Sequence, residues 1–168
     1  LTLQSDGRVL VGSGGISRLN SDGSQDTNFN AGIAPYFSGS AVASIAVQPD
    51  GKVLIGGAFD TVNGTNRNGI ARLNANGSRD TNYNPAVNYY VNAIALQADG
   101  KVLLGGRFSE VNQTRREGIA RLNANGSLDG SFDPGPRITG EGLYDRVYSI
   151  VPQPDGKVLI GSDFYAPD

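Results

Sequence analysis

The 168-residue sequence contains no Cys, His, Met or Trp. Without Cys there is no disulfide framework, no thiolate nucleophile and no thiolate metal site. Without His there is no Ser-His-Asp triad and no imidazole ligand. The absence of Cys fits both an intracellular protein and an exported bacterial one, so it does not fix the compartment. Because the chain has no Met at all, we expect it to be a piece of a longer protein.

Charge and long apolar runs are also scarce. Charged residues make up 18% of the chain, and the formal net charge is −2. A nucleic-acid partner requires a basic face, and an anionic membrane attracts a basic run, but the sequence offers neither. No apolar stretch approaches the roughly 18 residues of a spanning helix. We therefore expect no nucleic-acid partner and no membrane insertion.

The sequence is rich in glycine and in internal repeats. The segment GIARLNANGS occurs at 69–78 and again at 118–127, 49 positions apart. A second recurring motif, written AVQPDGKVLIGG at 46–57, sets turn glycines at Gly7, Gly51, Gly100 and Gly156. In both motifs, Asp-Gly or Asn-Gly joins two runs of β-forming residues, which is a strong hairpin signal. The chain is therefore predicted to repeat a pair of hairpins about every 50 residues.

Two hairpins per repeat predict four antiparallel strands, which in the second repeat are 44–48, 52–58, 70–74 and 80–84. The segment VLIGG is nearly all apolar and indicates burial on both faces. Such burial suits a propeller blade, which packs between two others. A β-solenoid is the main competitor, but its coils would be shorter and parallel. A sandwich has no reason to repeat its sequence. We predict an all-β chain of β-propeller-type blades, each with four antiparallel strands.

The whole chain, 1–168, is predicted to be a single propeller segment. Its blades are placed at 1–30, 43–85 and 91–134, with a half blade at 147–164. The first blade lacks a loop of about ten residues that the next two carry between their second and third strands. This gives fourteen strands in about three and a half blades, an incomplete ring, since closed propellers typically have at least four. A segment of a larger structure is the first explanation, self-association the second and a closed monomer the third.

The pattern that runs from QPDGKVLIGGAF through VNG and GIARLNANGS to YNP resembles the delta-60 repeat, a bacterial β-propeller repeat. The resemblance covers nearly the whole chain. It implies a long secreted or surface-displayed protein with many copies of the repeat, often beside other extracellular modules. It implies no general enzymatic activity, and we predict neither enzymatic activity nor a cofactor.

Aromatic residues recur where one blade connects to the next. In a propeller these connections lie on one common face, where flat rings stack against a sugar or a partner protein. The simpler interpretation is that the rings wedge between adjacent blades. The predicted ligand-binding residues are Tyr36, Phe37, Tyr89, Tyr90, Tyr144 and Tyr148. Function is expected where the repeats differ, and the unique stretches are the connections 31–39 and 135–146.

Two other side-chain patterns suggest chemistry. Oxygen-bearing side chains alternate in the turns that contain Asn20, Asp22 and Asp26, and Asn74, Asn76 and Asp80. They suit a hard cation, but the bidentate Glu that ends a calcium loop is missing. We therefore predict capped hairpin turns and no metal site.

Four carboxylates on predicted loops do not recur in the repeats. Paired carboxylates hydrolyse glycosidic bonds, but the sequence fixes no separation between any two of these groups. A solvated surface is the simpler interpretation. The four residues are Glu110, Glu117, Glu141 and Asp145.

We predict a structural or adhesive module of a secreted or surface-displayed bacterial protein, located outside the cell or on its surface. Its blade loops are predicted to present a binding surface to a glycan or a surface protein. One alternative is a self-assembling subunit that closes a ring or fibre through exposed edge strands. A second alternative is a glycosidase-type hydrolase that uses the loop carboxylates.

Overall fold

The computed structural model of the chain describes residues 1–36, 41–134 and 146–163. These residues are all-β, and every strand pairing among them is antiparallel. In this part of the chain there is no helix that is long and apolar enough to cross a membrane. The described sheets follow one another without closing into a ring. The predicted all-β class, with small antiparallel sheets in an incomplete ring, is therefore confirmed.

Sixteen strands occur in the described residues. Numbered along the chain, they are β1 (Thr2–Leu3), β2 (Val9–Gly12), β3 (Ile16–Leu19), β4 (Ile33–Pro35), β5 (Val42–Val47), β6 (Val53–Gly57), β7 (Phe59–Val62), β8 (Thr65–Asn66), β9 (Ile70–Leu73), β10 (Val91–Leu96), β11 (Val102–Gly106), β12 (Glu110–Val111), β13 (Thr114–Arg115), β14 (Ile119–Leu122), β15 (Val147–Pro152) and β16 (Val158–Ser162). One sheet recurs in each repeat unit: β1-β2-β3 in unit one, β5-β6-β9 in unit two, β10-β11-β14 in unit three and the hairpin β15-β16 in unit four.

The Asp-Gly turns form as the sequence predicts. In unit two the Gly51 amide donates to the Gln48 carbonyl at 2.9 Å, and the Asp50 carboxylate accepts from the Lys52 amide at 3.1 Å. Gly51 has φ +80°, a conformation that glycine adopts without a steric penalty. This turn sets the register of β5 against β6, in which Val47 pairs with Val53.

The prediction of a fourth strand in each of the first three units is wrong. In unit two only Arg79 bridges back to Leu73, and the Asp80 amide donates to the Arg72 carbonyl at 2.8 Å. The Asp80 carboxylate then accepts from the Asn82 amide at 3.0 Å, which closes a side-chain turn. The chain therefore bends away where 80–84 was predicted to extend. Units one and three show the same single bridge and the same turn at Asp26 and Asp129.

The loop that distinguishes units two and three from unit one contains its own hairpin. In unit two this hairpin is β7-β8, and its turn residues Asn63 and Gly64 have φ of 49° and 71°. Positive φ at both central residues is the signature of a type I′ hairpin turn, for which Asn-Gly is preferred. Strand β7 also pairs with β4, from the connection that precedes unit two. Five strands were not predicted, namely β4, β7, β8, β12 and β13, and three predicted fourth strands are absent, so the count changes from fourteen to sixteen.

Successive units stack face to face through a glycine in the second strand of each sheet. A Cβ added at Gly12 would lie 2.9 Å from Cγ1 of Val42 in the next unit, and one added at Gly56 would lie 2.9 Å from Cγ1 of Val91. A Cβ added at Gly105 would lie 2.6 Å from Cγ1 of Val147 in unit four. The missing side chain therefore leaves the space into which the next sheet packs.

The hydrophobic core is divided among these interfaces. Strands β6 and β11 are buried along their whole length, as the sequence VLIGG predicted. Leu54 of unit two is fully buried in a cluster with Val91 and Leu104 of unit three. Leu103 of unit three is likewise buried with Val147 of unit four. Each sheet thus obtains its core from its neighbour, as expected of stacked repeats.

Candidate functional site

Three of the predicted ligand-binding residues lie together. Tyr36 follows β4 in the connection between units one and two, and Tyr89 and Tyr90 precede β10 in the connection between units two and three. The ring centroids of Tyr36 and Tyr90 are 6.1 Å apart in an edge-to-face arrangement. Those of Tyr89 and Tyr90 are 4.0 Å apart. We call Tyr36, Tyr89 and Tyr90 the tyrosine cluster.

The backbone around the cluster holds these rings in place. The Tyr36 amide donates to the Ala58 carbonyl at 2.9 Å, just after β4 pairs with β7. Gly69, with φ +67°, lies so close to the second connection that an added Cβ would be 2.5 Å from the Tyr89 carbonyl oxygen. Asn88 is fixed by a bond from its Nδ2 to Ser109 Oγ at 2.8 Å. The cluster is therefore built on sheet-supported connections.

The cluster is neutral and borders a cation. Burial of its hydroxyl, together with the proximity of Tyr89 and Tyr36, raises the pKa of Tyr90 to about 12. Its hydroxyl therefore stays protonated at neutral pH. The guanidinium of Arg107 lies 5.3 Å from the Tyr89 ring centroid, within the range of a cation–π contact. The sequence analysis missed Arg107, because nothing in its neighbourhood along the chain distinguishes it from other surface arginines.

The space beside the cluster is small. It is a cavity of about 80 Å³, lined by Tyr36, Phe59, Asn68, Gly69, Asn88, Tyr89 and Tyr90. Pockets that enclose small molecules usually measure roughly 300–1,000 Å³. Tyr36 itself is 50% exposed. The cluster therefore offers an open ring surface for contact with a ligand instead of an enclosed pocket.

The other three predicted residues do not join this arrangement in the described structure. Tyr148 lies in β15, where its hydroxyl donates to Asp163 Oδ2 at 3.1 Å. Phe37 and Tyr144 lie outside the described residues. The edge-to-face contact between Tyr36 and Tyr90 also joins two successive connections, which agrees with the wedging interpretation of these rings. Ligand binding by all six residues stays a prediction.

The oxygen-rich turns are capped hairpin turns, which confirms their simpler interpretation. Asp22 Oδ1 accepts from the amide and the hydroxyl of Ser24, at 2.9 and 2.6 Å. Asn76 Oδ1 accepts from Ser78 in the same way, at 3.0 and 2.7 Å. In the ranges that the structure describes, no three acidic side chains are grouped as they would be around a metal ion.

A buried ion cluster recurs in each of the first three units. In unit two Asp80 Oδ2 accepts from Arg72 Nε at 2.9 Å and from Lys52 Nζ at 2.8 Å. The Arg72 guanidinium lies 4.3 Å from the Tyr83 ring centroid. Its Nη1 donates at 3.0 Å to the carbonyl of Ala124, in unit three. Because this arrangement recurs and ties one unit to the next, we interpret it as structural.

The carboxylates of these clusters remain ionised. Burial pushes the pKa of Asp80 upward, but the hydrogen bonds from Lys52, the Asn82 amide and Arg72 outweigh it and hold the pKa below its usual value. At Asp129 the hydrogen bonds from Ser131 and Lys101 lower the pKa far below the ordinary range. A carboxylate with a depressed pKa is a poor proton donor, so these residues do not resemble catalytic acids.

The two described loop carboxylates, Glu110 and Glu117, have different surroundings, and the hydrolase interpretation stays a prediction. Glu117 Oε1 accepts from Arg115 Nε at 3.0 Å. Glu110 is exposed in β12, the short strand that pairs with β13. Glu141 and Asp145 lie outside the described residues.

A groove of about 490 Å³ separates the turns of units one and two. It is lined by Leu3, Gln4, Ser5, Asp6, Arg8, Arg18, Val47, Gln48, Pro49, Gly51 and Ala75. Arg18 at its wall is already paired with Asp26 and donates to the Ala75 carbonyl at 2.6 Å. The groove therefore lies at the edge of a contact between units one and two. Because that contact recurs between units two and three, we interpret it as structural and take the tyrosine cluster as the better candidate site.

Comparison with known families agrees with the repeat organisation. A family model described as a domain of unknown function (DUF5122) beta-propeller matches residues 4–29, 48–83 and 97–132, which together exceed half of the chain. Each match begins near the end of a first strand and ends near the Asp-centred turn of the same unit. The match confirms the prediction of propeller-type repeats. No curated protein matches the chain.

Proposed function

The chain belongs to the DUF5122 beta-propeller family, and on that premise we propose that it is a non-catalytic adhesive scaffold that binds a glycan through the tyrosine cluster. The single observation that carries the proposal is the meeting of Tyr36, Tyr89 and Tyr90 from two connections. The recurring polar groups hold the units together, whereas among the described residues this cluster occurs at one place.

The open shape of the cluster favours a sugar ring over an enclosed small molecule. A tyrosine ring presents a flat apolar face and a polar hydroxyl, which suits the alternating C–H and O–H groups of a sugar. The adjacent Arg107 adds hydrogen-bond donors beside the Tyr89 ring. A stable protein interface usually buries about 800 Å² on each partner. Three partly buried rings offer much less than this area, so a glycan is the better match for the cluster alone.

The proposal extends to the type of repeat and to its location. We assign the repeats to the delta-60 type, on the residues that carry that resemblance. A delta-60 protein is expected to be secreted or displayed on a bacterial surface, and the absence of Cys is compatible with that location. Digestion of the native protein by protease added to intact cells of its source would agree with surface display, and complete protection would contradict it.

Calorimetric titration of the chain with cellohexaose and chitohexaose tests glycan binding. We expect at least one of the two sugars to bind. Tyr36→Ala should weaken its affinity about tenfold, about 1.4 kcal/mol, because an aromatic contact contributes about 0.5–1.5 kcal/mol beyond its buried area.

The matched control is Tyr148→Ala, which removes a tyrosine of similar exposure, 52% against 50%, from outside the cluster. The control should bind as the wild type does. Failure of both sugars to bind, or equal affinity of Tyr36→Ala and wild type, would refute the proposal.

A further inference from the structure

Arg67 of unit two and Arg116 of unit three occupy equivalent places in their loops. The Arg67 amide donates to the Asp60 carbonyl at 2.7 Å. The Arg116 amide donates to the equivalent carbonyl, that of Ser109, at 2.9 Å. In each side chain Nη1 donates to the carbonyl of the preceding residue, at 3.2 Å for Arg67 and 2.7 Å for Arg116. In each, Nε is buried and has no hydrogen-bond partner among the described residues. The two guanidinium groups are therefore held in the same way.

The two arginines differ in their ionic partner. Arg116 Nη1 lies 3.4 Å from Asp133 Oδ2. In unit two the position of Asp133 is taken by Asn84. In both units the amide just before this position donates to the carbonyl of the turn aspartate, at 3.3 Å in unit two and 3.2 Å in unit three, so the turns place it alike. An amide has the shape of a carboxylate but carries no charge, so unit two keeps the arginine and lacks its counter-ion.

Unit two also carries a second cation at this place. Arg79 takes the position that Leu128 holds in unit three. Burial lowers the pKa of Arg67, and repulsion from the Arg79 guanidinium lowers it further, so the two charges lie within electrostatic range. Among the described residues no carboxylate forms an ion pair with either arginine. We call Arg67, Arg79 and Asn84 the arginine patch.

We propose that the arginine patch binds the carboxylate group of an acidic ligand, in the place that Asp133 fills in unit three. A guanidinium binds a carboxylate through charge-assisted hydrogen bonds, which are among the strongest in proteins. A buried donor without a partner costs free energy that a bound carboxylate recovers, and Arg67 Nε is such a donor among the described residues. The second charge, on Arg79, adds attraction that unit three does not have.

The position of the patch supports a binding role. Unit two lies between units one and three, so the patch does not depend on where the sequence begins or ends. It is also a place where two repeats with the same backbone contacts differ in charge. The proposal requires the arginines alone and stands whether or not the tyrosine cluster binds a sugar. A free organic acid and a uronic acid residue of a glycan both carry the recognised group, and the test distinguishes them.

NMR titration of the isotopically labelled full chain, followed through the arginine Nε–H signals, tests the proposal. The probes are succinate and trigalacturonate, with maltotriose as the neutral control and inorganic phosphate as the competing anion. Arg67→Lys and Arg116→Lys assign the two buried signals. We expect the Arg67 signal to shift with at least one carboxylate and not with maltotriose. The Arg116 signal should not move, because Asp133 already occupies its place. Tighter binding of trigalacturonate would identify a uronic acid, and tighter binding of succinate a free acid.

Two isosteric substitutions exchange the properties of the two units. Asn84→Asp should supply an internal carboxylate and weaken binding at least about tenfold, since hydrogen bonds to charged groups are worth that much. Asp133→Asn should make the Arg116 signal respond to the same probe. Both positions are exposed, so neither melting temperature should fall far below that of wild type. Arg79→Leu, which installs the residue of unit three, should also weaken binding, about tenfold.

Four results would overturn the proposal. The first is an Arg67 signal that moves with neither carboxylate. The second is equal affinity of Asn84→Asp and wild type. The third is an Arg116 signal that shifts as much as that of Arg67 in the wild type, which would show unspecific attraction of anions. The fourth is tighter binding of phosphate than of both carboxylates, which would assign the patch to a phosphoryl group instead.

Discussion

Gly77→Ala is expected to lower the free energy of unfolding by about 2–5 kcal/mol, through two costs that add. Gly77 has φ +85°, and a left-handed backbone costs an L-residue about 1–2 kcal/mol. A Cβ at this position would also lie 2.8 Å from both the backbone nitrogen and the carbonyl carbon of Asn30, in the segment that follows the sheet of unit one. Overpacking of this kind typically costs about 1–3 kcal/mol.

Gly23→Ala provides the matched control for this substitution. Gly23 holds the same place in the turn of unit one, with φ +84°, but no neighbouring atom lies within 4 Å of an added Cβ. It should therefore show only the backbone cost of about 1–2 kcal/mol. Urea unfolding followed by circular dichroism measures both variants. Equal destabilisation by the two substitutions would show that the turn of unit two does not pack against unit one.

Leu54→Ala is expected to cost about 2–5 kcal/mol, as large-to-small substitutions in a packed core do. Leu54 is fully buried and loses contacts with unit three when it is shortened. The lost free energy of unfolding comes from the interface between units two and three, because the shortened side chain makes fewer contacts across it.

The control for Leu54 is Leu159→Ala, which alters the equivalent position in unit four. Leu159 is 56% exposed, so its shortening should change the stability of the monomer by no more than about 0.5 kcal/mol. Both variants are measured by thermal unfolding at a concentration where the chain is monomeric. A large loss for Leu159→Ala would mean that another part of the chain covers this side chain.

The repeated hairpins were predictable from sequence because their determinants are local. Gly51 must adopt a positive φ in a turn between two β-forming runs, and the sequence specifies both conditions within a few residues. The burial of β6 was also predictable from VLIGG. The same prediction is weaker for β16, where Leu159 is exposed, because burial depends on contact with a neighbouring sheet as well as on the local sequence.

The missed strands show where local patterns were insufficient. The predicted strand 80–84 contains residues that can extend, but the Asp80 side chain closes a turn with the Asn82 amide and pairs with Arg72. The hairpin at 59–66 was foreseeable from the Asn63-Gly64 turn flanked by β-formers. Its pairing with β4 was not, because that contact joins residues of a connection and a loop that are distant in sequence.

The candidate site was predictable only in part. The position of the tyrosines at blade connections indicated that Tyr36 and Tyr89 share a face. Their actual meeting depends on the pairing of β4 with β7 and on the close approach at Gly69. Arg107 contacts Tyr89 from the end of a different hairpin, and no sequence signal identifies it. The geometry of the site is therefore a consequence of how the units stack.

The scaffold and the tyrosine cluster both depend on one claim, which is that each sheet packs into a space left by a glycine of the preceding one. A double-mutant cycle between Gly105 and Val147 tests it most directly, since an added Cβ at Gly105 would lie 2.6 Å from Val147 Cγ1. Gly105→Ala alone should destabilise the chain by about 1–3 kcal/mol. Adding Val147→Ala should relieve the closest contact, while the contact with Ile150 Cδ1 at 2.8 Å remains. The double variant should therefore be more stable than the sum of the single effects predicts, by about 1 kcal/mol. Effects that add within about 0.5 kcal/mol would contradict the stacking of one unit on the next.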